Sequence, residues 1–196
     1  MSAFQHAAFF EAAPPFFAIR PEQPGDVAAR EALLDAAMGP GRTRKSSEAL
    51  RRGRLPAQGL SLAALAADGT LAGTVRLWAI AAGMRGGAPV PALLLGPLAV
   101  DPASHGSGIG GALMRHATAE AARLGHGAIL LVGDPEYYGR FGFSTEATGA
   151  LAMPGPFEQR RLLALELQDG GLAGAAGLVT ATGRLKDDVP AREAAA

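Results

Sequence analysis

Four glycines crowd into residues 106–111 (GSGIGG), directly ahead of an apolar-periodic stretch that runs to Leu124. Glycine lets consecutive backbone N–H groups turn towards a phosphate, and a helix N-terminus adds the positive end of its dipole. The chemistry such a loop suits is the cradling of a pyrophosphate. Its candidates are Gly106, Ser107, Gly108, Ile109, Gly110 and Gly111, with His105 immediately before them. Glycines used only for close packing and helix entry explain so many at one helix start less well.

Gly106, Gly108 and Gly111 also satisfy the dinucleotide fingerprint G-x-G-x-x-G, and Asp134 follows the next strand about where a ribose-binding acid would lie. Three features speak against that reading. Residues 101–105 separate the strand end from the first glycine, the unit begins only past residue 90 after an apparent hairpin, and Gly96-Pro97 interrupts its strand.

The elements that must position the loop follow from hydrophobic period. Residues 92–100 (ALLLGPLAV) are apolar on both faces, as a central strand must be. Proline cannot donate to a sheet ladder, so this strand is expected to be broken or bulged at its middle. Ile109, Leu113, Ala117, Ala121 and Leu124 recur at spacings of three and four and predict one buried helix face ending at Gly125. Residues 128–132 (AILLV) read as a second buried strand, which makes 92–132 a strand, helix, strand unit with parallel pairing.

Upstream, residues 61–67 and 71–80 predict a hairpin across Asp68-Gly69, and the Gly- and Pro-rich residues 83–91 read as a connection. An extended segment at 17–20 leads to a helix over 27–38, with Asp26 as its expected cap. Residues 42–54 carry six basic side chains against Glu48. A solvated face is the first reading, and a wall lining the approach to substrate or cofactor phosphates is another. Downstream, 134–142 form a compact turn, 162–167 a strand, and 177–182 a strand expected to pair with it.

The segment HGSGIG (105–110), following a strand and opening a helix, resembles the Q/R-x-x-G-x-G/A motif of the GNAT superfamily of N-acetyltransferases, with His105 in place of the usual Gln or Arg. YYGRFGF (137–143) resembles the family's Y-x-x-x-G-F, and together with GPLAVDP and LLALEL the chain is similar to a bacterial branch of predicted acetyltransferases of largely unassigned substrate. The resemblance implies an α/β fold: a mixed, mostly antiparallel sheet with a splayed central strand, flanked by helices. It implies an arm at 1–17, the acetyltransferase domain at 18–183 and a tail at 184–196. The cofactor it implies is acetyl-CoA. The pantetheine arm would lie along Leu98, Ala99 and Val100, and the pyrophosphate on residues 105–111.

The implied reaction is direct attack of a neutral amine on the thioester, with the Leu98 N–H holding the oxyanion. Tyr138, four residues before Gly142, falls where many members hold a tyrosine near the cofactor sulfur, so it stands either as general acid or as a half-buried aromatic whose hydroxyl merely finds a partner. For the base, Glu136 is the nearest carboxylate without an evident turn role, Asp134 fits a turn, and His105 and His116 read as surface histidines. The acceptor is a small-molecule or peptide amine, and a CoA-binding module without turnover is the other outcome left open.

Composition narrows the field further. Eighteen basic residues balance eighteen acidic ones, so no global field draws the chain to nucleic acid or an anionic membrane. The absence of cysteine and the scatter of four histidines argue against thiolate chemistry and a zinc site, and no metal is expected. No apolar run is long enough to span a bilayer and the first basic residue is Arg20, so a cytoplasmic address is expected. Five of the eight phenylalanines lie in the first seventeen residues, an arm read as packing on the domain or on a sister subunit, which leaves a homodimer open.

Overall fold

The computed structural model describes residues 17–188, so of the expected arm only Phe17 is described, and residues 189–196 of the tail lie outside. Phe17 opens β1 (Phe17–Pro21), and helix α1 (Val27–Met38) follows. Asp26 does not cap α1 with its side chain, because its carboxylate already accepts from the Arg20 guanidinium and from the Gln23 amide at 2.7 Å. A 3-10 turn over Pro40–Arg44 and a single-turn helix α2 (Ser46–Ala49) carry the basic segment.

Strands β2 (Ser61–Ala66), β3 (Leu71–Arg85) and β4 (Ala88–Val100) then form an antiparallel run. Residues 83–91 are not a loose connection: they prolong β3 and β4 into a long hairpin that closes at Gly86-Gly87. Both glycines have positive φ, 57° and 83°, as a two-residue turn matched to strand twist requires. Helix α3 (Ile109–Arg123), β5 (Ala128–Val132), the short helix α4 (Pro135–Tyr138), β6 (Leu151–Ala152), β7 (Leu162–Glu166) and β8 (Ala176–Ala181) complete the chain.

The strand order is β1-β2-β3-β4-β5-β7, mixed and mostly antiparallel, with β4–β5 and β6–β8 the parallel pairs. β8 does not pair with β7 as expected. Beyond Arg76 strand β2 has ended, which leaves an edge of β3 free, and β8 takes it from Ile80 to Met84.

One sheet face packs on α3, whose Ile109, Leu113, Met114, Ala117 and Ala121 are buried against Leu62, Leu77, Leu93 and Ile129. The approach is close: a Cβ on Gly73 would stand 2.6 Å from Ile109. Leu124 is not part of that buried face. It is 40% exposed because the chain leaves the helix there and turns at Gly125. The opposite face buries Ile80, Leu94, Leu130, Leu162 and Val179. Among the described residues no helix is long and apolar enough to cross a membrane.

Under α1 a chain of charges is drawn inward. Glu22, whose side chain is 6% exposed, receives both Arg30 and Arg76, Arg30 also bonds Glu31, and Glu31 with Asp35 holds Arg42. Residues of the tail close the other side, where the Leu55 amide donates to the Arg184 carbonyl and the Lys186 amide to that of Gly53, both at 2.9 Å.

Candidate active site

The central strand parts from its parallel neighbour. β4 and β5 pair at Leu93 with Ile129 and at Leu94 with Leu130, and no further. At Gly96-Pro97, a cis peptide, two residues of β4 stand against Arg76 alone on β3, a bulge that restarts the ladder at Leu98 opposite Val75. The indole of Trp78 donates to the Gly96 carbonyl at 2.6 Å and pins the bulge.

Beyond the bulge the phase of the ladder decides which backbone groups are free. In an antiparallel pair, alternate residues turn both N–H and C=O to the partner and the others turn both away. The Asp101 amide donates to Ala72 at 2.9 Å, which puts Ala99 in the bonded phase opposite Thr74. Leu98 and Val100 therefore present their backbone groups to the cleft, and Ala99 does not. Its side chain packs on Leu33 and Leu34 of α1. On the far side the Gly133 amide donates to Arg161 at 2.9 Å, and by the same alternation Val132 faces the cleft.

A cavity of about 510 Å³ occupies this cleft. Leu98, Val100, Gly110, Leu131, Val132, Tyr137, Tyr138 and Arg161 line it together with Gly96, Arg42, Lys45, Ser47, Glu48 and Arg51. The basic segment 42–54 thus forms a cavity wall, the reading the sequence left beside a solvated face.

A second cavity, about 590 Å³, lies along the glycine loop and contains His105 and residues 106–111 together with Arg115, Tyr137, Arg140 and Phe141. Val100 and Gly110 border both cavities. The loop is shaped by local bonds: the Asp101 carboxylate accepts the Ala103 amide at 2.9 Å and the Ser107 hydroxyl donates to the Ser104 carbonyl at 2.6 Å. Gly106 and Gly108 adopt φ of 82° and 83° with open space where a Cβ would stand, so backbone conformation, not packing, requires glycine there. The first bond of α3 runs from Ala112 to Gly108, leaving the amides of Gly106, Gly108, Ile109, Gly110 and Gly111 without partners among the described residues. Gly110 answers a different demand, since a Cβ there would meet the Tyr137 hydroxyl at 3.1 Å.

Tyr138 sits on α4, whose first turn is capped by the Asp134 carboxylate accepting from Glu136 N–H at 3.1 Å. Its ring packs edge-on against Tyr137 and Phe143, with centroids 4.9 and 6.2 Å apart. It also lies over Gly133, where a Cβ would stand only 2.1 Å from the ring. Burial pushes the phenol up to about 12, with the neighbouring Tyr137 adding to the shift. The hydroxyl has no hydrogen-bond partner among the described residues and is not sealed, so it opens on the cavity. Replacing Gly133 with alanine should displace this ring and change catalysis more than stability, which thiol-release kinetics beside a melting curve would check.

Glu136 is exposed and lines neither cavity. Asp134 lines the first but is engaged in the turn, and Glu48, 24% exposed, is the other carboxylate on that wall. His105 borders the second cavity and His116 lies exposed on α3. Sequence reasoning missed Arg51, Arg161, Tyr137, Arg115 and Arg140 as site residues. For Arg115 a signal existed, because it follows Gly111 by four residues and so lies one helical turn above the loop.

Residues 60–145 match the family model described as "Acetyltransferase (GNAT) domain". Over 85 residues the chain is 33% identical to the uncharacterized N-acetyltransferase YhbS of Escherichia coli K12, a match covering 43% of this chain, and it spans about half (51%) of the length of that curated relative. The crystal structure of the GNAT family N-acetyltransferase YhbS from E. coli in complex with CoA superposes with a TM-score of 0.72 at 28% identity, covering 87% of this chain and 92% of that one. A GNAT family acetyltransferase from Brucella melitensis in complex with acetyl-CoA gives 0.52 at 29%, covering 78% and 97%. The chain thus has the fold of the GNAT acetyltransferases, and its residues 60–145 are similar in sequence to their acetyltransferase domain.

Proposed function

We propose that the protein transfers the acetyl group of acetyl-CoA directly to a primary amine of a small molecule or peptide. One observation carries this reading: the unpartnered amides at 106–111 and the inward-facing backbone of Leu98 and Val100 form one line of donors along two adjoining cavities. The loop amides, with Arg115 and Arg140 beside them, fit a pyrophosphate, and the free strand edge fits an extended amide-bearing arm. The CoA and acetyl-CoA complexes of the two structural relatives support the choice of ligand. A dinucleotide oxidoreductase is disfavoured by topology, because a doubly wound fold needs a largely parallel sheet and this one is mostly antiparallel.

Acetyl-CoA, when bound, supplies an acetyl group activated as a thioester. Leu98 N–H points into the cleft just past the bulge and stabilises negative charge building on the carbonyl oxygen. Tyr138 keeps its proton at neutral pH and donates a hydrogen bond, then the proton, to the departing sulfur. Burial would raise a thiol leaving into the same cavity in the same direction as it raises the phenol. The neutral amine enters from the side of the cavity walled by residues 42–51.

At about a hundred times its Kd, acetyl-CoA should stabilise the fold by about 2.7 kcal/mol, seen as a raised melting temperature, while NAD should not. Thiol release with a panel of amines then separates an enzyme from a binding module. Gly108→Asp places charge and a left-handed Cβ in the loop and is expected to weaken CoA at least ~tenfold, a loss from the like charge beyond that of Gly108→Asn, which tolerates the same φ. Unchanged CoA affinity in Gly108→Asp would remove the pyrophosphate from this loop.

A further inference from the structure

A wall of the first cavity that takes no part in the glycine-loop cavity holds a buried arginine with unused donors. Arg51 has a side chain only 9% exposed. Its Nη2 is occupied, 3.0 Å from Glu48 Oε2 and 3.5 Å from Ser47 Oγ. Its Nε is sealed from solvent with no partner. Its Nη1 has no partner either, is not sealed, and stands 3.8 Å from where a Cβ on Gly96 would be, so it opens on the cavity at the bulge. A buried guanidinium with unfilled donors is costly unless something completes it.

The charge of that wall says what would complete it. Arg42 is spent on Glu31 and Asp35 outside the cavity, and Glu48 offsets one further charge. Lys45, which has no ion pair among the described residues, and Arg51 then leave a surplus of one positive charge. That surplus matches a monoanion. A phosphate dianion would face Glu48 without full compensation, and a diamine would bring a second cation to a cationic wall.

Resting on the acetyltransferase reading above, we propose that the acceptor is a small amino carboxylate, its carboxylate held by Arg51 beside Gly96 and its amine turned towards Leu98. Gly96 and Leu98 are joined by one cis and one trans peptide, so their Cα atoms are at most roughly 7 Å apart and the amine and the carboxylate must lie within a few bonds of each other. Arg51 is here a specificity residue that touches the substrate, and Ser47, on the same wall, is within reach of the same group.

The test compares each acid with its own carboxamide, glycine with glycinamide and β-alanine with β-alaninamide, adding putrescine and O-phosphoethanolamine. The carboxamide's amine is the less basic and so the more available as free base at neutral pH, which means that a preference for the acid cannot arise from reactivity. For the wild-type protein, kcat/KM is expected to favour the acids by ~tenfold to a hundredfold, the range of one charge-assisted hydrogen bond. Arg51→Gln should erase that preference through KM while leaving KM for acetyl-CoA near its original value, and Arg51→Lys should keep part of it. The wild-type comparison stands even where Arg51→Gln folds poorly. Equal or better use of carboxamides, putrescine or O-phosphoethanolamine overturns the proposal. Binding is read separately: with CoA present, the acids should raise the melting temperature more than their amides, and an equal or absent shift likewise overturns it. Failure of acetyl-CoA itself to bind would instead sink the acetyltransferase reading.

Discussion

Tyr138→Phe is expected to lower kcat for thiol release by ~10²-fold or more, with CoA affinity and melting temperature close to the original. The ring keeps its contacts with Tyr137, Phe143 and Gly133, and the lost hydroxyl takes no hydrogen bond with it. A structural tyrosine would behave in the opposite way, changing stability by about 1 kcal/mol and leaving turnover alone. Turnover near the original, once chemistry is shown to limit it, would return the general-acid role to water. The raised phenol also gives the pH dependence a sign. In the unfolded chain the group titrates near 10 and in the folded protein at about 12, so the folded state holds the proton more tightly. Its contribution is fully present below pH ~10 and is lost as pH rises from there through about 12. Tyr138→Phe should flatten that part of the stability profile, and the wild-type enzyme should show no loss of general acid below pH ~10.

The second large effect lies away from the cleft. Glu22→Gln is expected to destabilise the fold by ~3–5 kcal/mol, because it leaves the half-buried Arg76 without a carboxylate and the buried Arg30 with Glu31 alone. For a chain of this size that is a drop of roughly 6–20 °C in melting temperature. The loss should reach the cavity wall as well, since Arg30 connects through Glu31 to Arg42. Replacing Glu22 and both arginines together by apolar residues of similar volume should recover much of the stability, which separates an uncompensated charge from a packing defect. A Glu22→Gln protein as stable as the original would mean that water reaches these guanidinium groups.

Elements held together by local pattern were legible in the sequence. The period of residues 27–38, the glycine loop with its helix, and the apolar run 128–132 each carry their own signal, and the observed α1, α3 and β5 keep those bounds to within a residue or so. The break at Gly96-Pro97 was legible for a chemical reason, the missing donor of proline. Pairing partners were not. β8 joins β3 only because β2 stops short, a fact about lengths that no residue of 176–181 records. The same holds for the site. Tyr138 and the glycines announce themselves by motif, but Arg51 looks like one more cation in RTRKSSEALRRGR until the fold brings it against Gly96. The one cation that is buried there and the five that are not have the same sequence signature, because burial is decided by the hairpin across the cleft.

The parted strands also place an edge of the sheet inside the molecule. Leu98, Val100 and Val132 hold out backbone groups that no neighbouring strand takes up, the condition that on an outer strand invites another polypeptide to add itself. Outer edges are guarded by brevity, charge or proline, and β1, five residues long and ending at Pro21, follows that pattern. The inner edge is guarded by its surroundings: it lies within a cavity of about 510 Å³ whose lining includes Arg42, Lys45, Arg51, Tyr137 and Tyr138. The protein can thus keep part of its sheet permanently incomplete without the self-association that an incomplete sheet otherwise brings.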